Sequence, residues 1–295
     1  MGKRIMLFLA TNLAIMVLLG IVLGIAAGPL GLNTSGYVGL LIVSLVIGFG
    51  GAFISLAMSK TIAKWTTGAQ VIEQPRNDAE RWVMETTHRL ADQAGIGRPE
   101  VAIWDSPDLN AFATGARRDN SLVAVSTGLL RSMRQEEAEA VLAHEIAHIA
   151  NGDMVTLTLI QGVLNTIVVF LSRILGRIVD RTVFNNRDGG YGIGYFMVTI
   201  LFQIVLGFFA SMIVMWFSRR REFRADAGGA SLTSNAAMAA ALERLMLASA
   251  APPQAELPEN MATMGIRGGK PTGIRALLMT HPPLEDRIAA LRSAA

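Results

Sequence analysis

The distribution of apolar and polar positions divides the chain into long apolar stretches and stretches of mixed periodicity. Four apolar stretches have roughly the 20 residues that a transmembrane helix needs; they lie at 5–27, 37–59, 154–175 and 193–217. Polar residues dilute the third stretch, namely Thr156, Thr158, Gln161, Asn165 and Arg173. We therefore predict about four transmembrane helices; the alternative is that the third and fourth form a partly submerged hairpin.

Basic residues flank the outer ends of the first two apolar stretches. Lys3 and Arg4 precede the first, Lys60 and Lys64 follow the second, and residues 28–36 between them contain no Lys or Arg. Because positively charged flanks stay in the cytoplasm, the pattern predicts a hairpin with both ends cytoplasmic. Arginines in or beside the loop between the third and fourth stretches conflict with an external location for it: Arg173, Arg177, Arg181 and Arg187.

Residues 61–153 have the mixed periodicity of a soluble domain. Asn77 and Glu80 have the spacing of a capping box, which predicts the beginning of a helix. Ser132 and Gln135 form a second pattern of this kind ahead of another helix. Short apolar runs between these helices predict three strands, at 101–104, 110–115 and 122–126. Farther on, residues 251–273 are rich in Pro, Gly and Met and predict a long loop before a C-terminal helix that begins at Leu284.

The composition supports a membrane protein and argues against an ordinary soluble domain and a nucleic acid partner. Of the 295 residues, 52% are hydrophobic and only 17% are charged, which is too apolar for an ordinary soluble domain. The net charge of +3 includes no basic stripe with interleaved aromatic residues, so a nucleic acid partner is not expected. The chain contains no Cys, so a zinc site must use histidine and carboxylate ligands.

A metal-binding motif lies in the helical run 138–150. Residues 144–148 are His-Glu-Ile-Ala-His, and positions four apart share one helix face, so His144 and His148 can hold one metal ion. Glu145 lies beside them, where a carboxylate can take a proton from metal-bound water. This spacing is typical of zinc hydrolases. Two histidines that serve only in helix packing are the alternative.

A catalytic zinc site usually has three protein ligands, so a third is expected elsewhere in the chain. Glu222 and Asp226 are one helical turn apart and point the same way. Glu222 can bind the metal, and Asp226 can accept a hydrogen bond from the far nitrogen of a ligand histidine. The alternative is a charged juxtamembrane helix, because the pair lies among four arginines: Arg219, Arg220, Arg221 and Arg224.

A metal ion bound by both motifs would limit the possible membrane topologies. If His144 and Glu222 bind one ion, the chain between them crosses the membrane twice or not at all. With the flanks of the first hairpin in the cytoplasm, we expect the site to face the cytoplasm. One Zn²⁺ per chain is the predicted cofactor, held by His144, His148 and Glu222.

The chain resembles the HtpX family of integral membrane zinc metalloproteases, which are related to the CAAX prenyl proteases. The resemblance covers nearly the whole length, from the N-terminal hairpin through the motifs at 110–113, 144–148, 221–226 and 281–287. It implies an α+β membrane protein with a gluzincin-like zinc metalloprotease domain and a small β-sheet. It also implies endoproteolysis of misfolded proteins in the bacterial inner membrane, as part of quality control and the stress response.

The resemblance also implies roles for individual residues. Asn110 and Ala111 are expected on an edge strand beside the zinc, where they bind the substrate backbone. His281 and Arg287 are expected near the active site, where donor groups can stabilise the oxyanion. The expected partners are protein substrates, mainly membrane proteins, and the lipid bilayer.

Taken together, these observations predict four segments. Residues 1–60 form a transmembrane hairpin and 61–153 a catalytic domain with the strands and the motif helix. Residues 154–218 form a second membrane hairpin, and 219–295 a C-terminal catalytic part with the third zinc ligand.

Two alternative functions stay open from the residues alone. A protease that processes prenylated proteins needs a large membrane chamber, which four apolar segments are too few to enclose. A non-catalytic scaffold or chaperone with structural zinc needs a fourth protein ligand and has no use for Glu145.

Overall fold

The computed structural model describes residues 18, 19, 21, 22, 25, 36–186, 191–250, 279 and 281–294. The predicted membrane segment 5–27 therefore lies outside the described residues except at isolated positions, and the predicted loop 251–273 lies entirely outside them. The helices are α1 (Tyr37–Thr67), α2 (Asp78–Gln93), α3 (Thr127–Ser132), α4 (Gln135–Asn151), α5 (Asp153–Thr182), α6 (Ile193–Leu232), α7 (Asn235–Ala250) and α8 (Leu284–Ser293). The strands are β1 (Gln70–Val71), β2 (Glu100–Trp104), β3 (Ala111–Arg117) and β4 (Asn120–Ser126).

The chain divides into two compact units. The first contains Met1–Ser55 and Leu157–Met215, and the second contains Leu56–Thr156 and Trp216–Ala295. The predicted segment boundaries at 60 and 218 fall inside α1 and α6, which continue unbroken through them. Each of these two helices therefore contributes residues to both units.

The described part of the first unit is built from apolar helices. Three helices in the described residues are long and apolar enough to cross a membrane: α1, α5 and α6. They correspond to the second, third and fourth apolar stretches of the sequence. At about 1.5 Å per residue, the 40 residues of α6 span about 60 Å, which is twice the thickness of a bilayer core. The charged end of α6 therefore extends beyond the apolar part that suits a membrane.

Small residues allow close helix packing in the first unit. A Cβ at Gly48 of α1 would lie 2.3 Å from Oγ1 of Thr166 and 2.8 Å from the carbonyl of Gly162 on α5. No side chain fits there, so the glycine lets the two helices approach each other, as is common among membrane helices. Val43 and Ile47 of α1 pack with Val168 and Val169 of α5 beside this contact.

Asp180 stabilises the beginning of α6. Its carboxylate is 4% exposed and accepts hydrogen bonds from the backbone N–H of Tyr195 (3.0 Å), the N–H of Gly192 (3.2 Å) and the side chain of Asn186 (2.8 Å). The first N–H groups of a helix lack partners within the helix, so an acceptor there satisfies them and complements the helix dipole. Nearby, the guanidinium of Arg177 donates to the hydroxyl of Tyr191 at 2.7 Å.

A four-stranded sheet lies in the second unit, in the order β1-β2-β4-β3. β2 and β4 are parallel, whereas β1 pairs antiparallel with β2 and β3 antiparallel with β4. The three predicted strands are present, and β1 is an addition that is too short for its sequence pattern to show. β3 is an edge strand, and no other described strand pairs with its outer side.

The helix caps agree with the sequence at one position and differ at another. Asn77 accepts from the N–H of Glu80 at 2.8 Å and begins α2, as predicted. The predicted capping box at Ser132 is wrong, because Ser132 is the last residue of α3. α4 instead begins after Arg134, whose N–H donates to the carboxylate of Glu137 at 2.9 Å. Because α3 continues to Ser132, the cap of α4 lies at Arg134, two residues after the predicted position.

The apolar face of α4 determines how the motif helix is held. Its apolar face includes Leu142, Ala143, Ile146 and Ile149, which are fully or almost fully buried. They pack against Leu90 and Ala91 of α2 and against Ala113 and Val123 of the sheet. Burial of each larger side chain, Leu142, Ile146 and Ile149, stabilises the fold by roughly 1.5–3 kcal/mol. The sheet and α2 thereby fix the rotation of α4 and hence the direction of its polar face.

Candidate metal centre

The two motif histidines are buried on α4. His144 and His148 are 7% and 4% exposed, and their rings meet edge to face with centroids 4.6 Å apart. Their separation of four residues places them on one side of the helix, as the sequence indicates. Buried imidazoles need hydrogen-bond or metal partners for their ring nitrogens.

α6 brings Glu222 to these histidines. Its carboxylate is fully buried, with Oε2 lying 3.6 Å from Nε2 of His144 and Oε1 lying 3.4 Å from Nε2 of His148. The helices approach closely because glycines follow Glu222 on α6. A Cβ at Gly229 would lie 3.0 Å from the backbone N of His144, and one at Gly228 would lie 2.8 Å from Cβ of Ala147. These glycines are a packing requirement of the site that the sequence interpretation did not include.

A carboxylate faces the outer nitrogen of each histidine. Nδ1 of His144 lies 3.0 Å from Oδ1 of Asp226, and Nδ1 of His148 lies 2.6 Å from Oδ2 of Asp153. A carboxylate beside Nδ1 favours the proton on that nitrogen, which leaves the Nε2 lone pair free to bind a metal. Both Nε2 atoms point towards Glu222, so the two rings present their ligand atoms to the same place.

The sequence interpretation missed Asp153. This residue begins α5 immediately after Gly152, which ends α4 in the left-handed conformation at φ 67°. The tight turn brings Asp153, 1% exposed, back to His148, while its other oxygen accepts from Arg224 of α6 at 2.7 Å. An acidic residue five positions after the second histidine, behind a glycine that ends the helix, is the signal that could have identified it.

Arg287 and His281 come from the C-terminal part of the chain. The guanidinium of Arg287 is 3% exposed and binds Asp226 through two hydrogen bonds of 2.7 and 2.5 Å. Nδ1 of His281 lies 2.6 Å from Oε2 of Glu222. The structure thus brings both residues to the centre. The geometry favours Arg287 as a support for Asp226, and its role at the oxyanion stays a prediction.

The carboxylates change the proton affinity of the two histidines. Burial disfavours a charged ring, but the neighbouring Asp226 and Glu222 outweigh it and raise the pKa of His144 to about 9. The pKa of His148 is likewise raised, because Asp153 and Glu222 outweigh the cost of burial. A pair of buried imidazoles surrounded by carboxylates is a site with strong affinity for positive charge.

The residues at this centre fit a bound metal ion. One ligand atom from each of His144, His148 and Glu222 lies within 4.8 Å of the others. Ligand bonds of 2.0–2.2 Å in a tetrahedron separate the ligand atoms by about 3.3 Å, close to the observed 3.4 and 3.6 Å. Oε1 of Glu222 is buried and accepts no hydrogen bond from any described residue. A cation between the three side chains would satisfy that oxygen.

The remaining predicted residues lie around the three side chains. Glu145 follows His144 on α4 and is half-buried, whereas both neighbouring histidines are buried. Asn110 immediately precedes the edge strand β3, which Ala111 begins. The N–H of Asn110 donates to the hydroxyl of Ser126 at 3.1 Å. β3 in turn packs against the motif helix, with Ala113 in the same apolar cluster as the buried face of α4.

Comparison with known proteins identifies the family of this chain. A family model described as "Peptidase family M48" matches residues 77–295. This chain belongs to peptidase family M48. Protease HtpX of Alkalilimnicola ehrlichii is 61% identical over 297 residues, covering 98% of this chain and 97% of the relative. Protease HtpX of Xanthomonas axonopodis pv. citri is 56% identical over 294 residues, covering all of this chain and 98% of the relative.

A solved structure has a similar fold. The crystal structure of S. mikatae Ste24p matches 97% of this chain and 67% of its own, with a TM-score of 0.61 and 20% sequence identity. At that identity the similarity concerns the fold alone. The membrane helices, the small mixed sheet and the protease domain of the M48 family are therefore confirmed.

Family membership decides one of the two alternatives that the residues alone leave open, namely whether the chain is an enzyme. The predicted resemblance to HtpX proteases is confirmed, and the chain is a membrane metalloprotease, a hydrolase that acts on protein substrates. The non-catalytic scaffold is thereby excluded. The M48 family implies a metal, and the group formed by His144, His148 and Glu222 can hold one.

Replacing Asp153 with Asn tests whether this residue positions His148. The amide has nearly the same size but loses the charge that favours a proton on Nδ1, so we expect zinc affinity and kcat/KM to fall about 10- to 100-fold. Zinc competition with a chromogenic chelator and peptide cleavage measure the two effects. Asp286→Asn, an exposed site on α8, is the matched control. Wild-type zinc affinity in Asp153→Asn would mean that His148 is oriented without Asp153.

Proposed function

We propose that this chain is a zinc-dependent endopeptidase of the bacterial inner membrane that cleaves misfolded membrane proteins and their cytosolic loops. One observation carries the proposal: two imidazoles and one buried carboxylate converge, and an oxygen of that carboxylate accepts no hydrogen bond from any described residue. His144, His148 and Glu222 are the proposed ligands of one Zn²⁺ per chain, and Glu145 is the proposed catalytic carboxylate.

The ligand set favours zinc over other common metals. Two imidazole nitrogens and one carboxylate oxygen form the set of many catalytic zinc sites, which leave a fourth position open for water. Magnesium and calcium prefer six or more oxygen ligands, and in the part of the chain that the structure describes only one carboxylate faces the two Nε2 atoms. The chain has no Cys, so thiolate-bound metals have no ligands here.

Glu145 is placed to move the proton. A bound zinc ion would polarise the scissile carbonyl and lower the pKa of the attacking water. Glu145 is next to His144 on the helix and less buried than the ligands, so its carboxylate can take the proton from that water and pass it to the leaving amine. Asp153 is hydrogen-bonded to Nδ1 of His148, and the carboxylate of Asp226 lies 3.0 Å from Nδ1 of His144; both contacts favour the ring orientation that binds metal.

The edge strand β3 is the proposed binding site for the substrate backbone. The carbonyl of Asn110 accepts from the N–H of Ser126 on β4 at 2.9 Å. Hydrogen-bonded pairs alternate along antiparallel strands, so Ala111 and Ala113 direct their N–H and C=O groups away from β4. An extended peptide can add to this open side as a further strand. Asn110 immediately precedes that strand and is the proposed contact for the substrate backbone there.

The basic residues favour a cytoplasmic site. Lys60 and Lys64 follow the apolar part of α1, and both donate to the carboxylate of Glu100 at 2.7 Å. Arg219, Arg220 and Arg221 follow the apolar part of α6. Both basic groups belong to the unit that contains the metal centre. By the positive-inside rule this unit lies in the cytoplasm, where loops of neighbouring membrane proteins are within reach.

Reconstituted full-length protein provides the test. In liposomes with a polytopic membrane protein that carries a different epitope tag on each side, we expect cuts only in its cytoplasmic loops. Chelation with 1,10-phenanthroline should abolish cleavage, and one equivalent of Zn²⁺ should restore it, because a catalytic site without metal has no Lewis acid. Cleavage that survives complete metal removal would contradict the proposed chemistry. Cuts in the loops of the opposite side would contradict the orientation.

A further inference from the structure

A cleft of about 280 Å³ lies beside His148, next to the end of β3. One wall comes from the end of β3 and the following turn, including Gly115, Arg117 and Arg118. The opposite wall comes from the end of α4 and the beginning of α5, including Gly152. His148 is a proposed metal ligand and also lines this space, so the cleft adjoins the metal centre.

A substrate that adds to β3 would extend along the strand towards this cleft. An extended chain advances about 3.3 Å per residue, so the distance along the strand from Asn110 to Gly115 is about 17 Å. A peptide held along β3 with one carbonyl at the metal centre therefore places a residue of one flank, a few positions from the scissile bond, at the cleft. Alternate side chains of an extended peptide point to opposite faces, so a particular position projects into it.

The edge of the cleft is positively charged. Arg117 and Arg118 are exposed, and neither pairs with a carboxylate among the described residues. Nη2 of Arg118 lies 3.9 Å from the place that a Cβ on Gly152 would occupy, so its guanidinium reaches across from the turn to the opposite wall. The nearest acidic groups in sequence have other partners: Asp153 holds His148 and Arg224, and Asp119 accepts from the N–H of Gly97.

The interior of the cleft suits the aliphatic part of a side chain. Ile149, Met154 and Val155 line it, and Gly152 leaves its wall without a side chain. A glutamate or aspartate can pack its methylene groups against this surface while its carboxylate reaches the guanidinium groups at the edge. Arginine binds carboxylates through paired, charge-assisted hydrogen bonds. A lysine or arginine of the substrate would meet like charge there.

We propose that this cleft is a substrate subsite that selects an acidic side chain a few residues from the scissile bond. Arg118 binds the carboxylate and Arg117 supports it with a second positive charge. The proposal rests on the proposed function, because it gives the substrate preference of the same site.

A peptide series on the full-length protein in detergent tests the subsite. Fluorogenic peptides carry Glu, Gln or Lys in turn at each of four positions on either side of the scissile bond. At one position we expect Glu to exceed Gln in kcat/KM by about tenfold, as for a charge-assisted hydrogen bond, and Lys to be the poorest. Arg118→Gln should remove the preference for Glu, and Arg118→Glu should reverse it in favour of Lys.

A control and a binding measurement separate the subsite from the chemistry. Arg131→Gln removes one exposed charge elsewhere in the same unit and should keep the preference for Glu; its loss there would overturn the subsite as a general charge effect. Fluorescence anisotropy with Glu145→Gln measures binding of the same peptides. Cleavage without a Glu preference at any position overturns the subsite and leaves the protease assignment intact. A Glu preference in binding that depends on Arg118, without cleavage by the wild-type protein, supports the subsite and counts against the proposed function.

Discussion

The Glu145→Gln variant is expected to keep its metal and to lose about 10²- to 10⁴-fold in kcat/KM, the usual contribution of a general acid–base group. The amide has the size of the carboxylate but cannot take a proton from water. Glu145 makes none of the close contacts that hold His144, His148 and Glu222 together, so the ligands should keep their positions. Elemental analysis of zinc per chain and cleavage of a fluorogenic peptide measure the two properties on one preparation.

Glu136→Gln is the matched control for this variant. Glu136 is exposed in the first turn of the same helix, so the substitution makes the same chemical change at a distance from the centre. It should cleave as the wild type does, apart from a small loss of helix stability from the dipole. If Glu145→Gln cleaves like Glu136→Gln, another group acts as the base and the mechanistic assignment is wrong.

The Glu222→Gln variant is expected to lose both stoichiometric zinc and activity. Among the described residues, Glu222 supplies the only carboxylate whose oxygens face both Nε2 atoms, and a neutral amide is a weak ligand for zinc. The charge balance also changes, because Arg287 and the histidines then lack one of their buried anionic neighbours. Zinc retained after dialysis against a weak chelator measures the effect, and circular dichroism shows whether the helices are intact.

Two comparisons make this result specific. Glu285→Gln at the exposed first turn of α8 should keep one zinc per chain and full activity. Glu145→Gln should keep the zinc without the activity, so the two site variants differ in metal content. Stoichiometric zinc in a folded Glu222→Gln variant would show that the third ligand lies elsewhere.

Much of the site could be predicted because its parts are local. His144, Glu145 and His148 belong to one helix, so their spacing alone places them on adjoining positions of one surface. Glu222 and Asp226 are also four residues apart, so the same helix geometry places them on one face. Apolar stretches of sufficient length predict membrane helices without any knowledge of their neighbours, because the bilayer sets the length. The three apolar helices in the described residues agree with these predictions.

The errors and omissions concern positions where local signals compete or where partners are distant. Ser132 and Gln135 have the spacing of a capping box. Ser126, however, caps the short helix α3, and Ser132 is the last residue of that helix. Asp153 looks like the polar start of a membrane segment. The turn at Gly152 brings it back to His148, and Arg224 approaches it from α6.

The sequence by itself determined the membrane class and the motif helix, and it pointed to the three proposed metal ligands. It could do so because helix periodicity, bilayer thickness and ligand chemistry all act over a few neighbouring residues. The tertiary structure decided which groups surround the ligands: Asp153 and Asp226 on the two histidines, Arg287 on Asp226, and Arg118 over the cleft beside His148. These contacts depend on the close packing of α4 with α6 and on the position of β3 beside α4. Such packing is set by side chains that are far apart in the chain, so no local pattern encodes it.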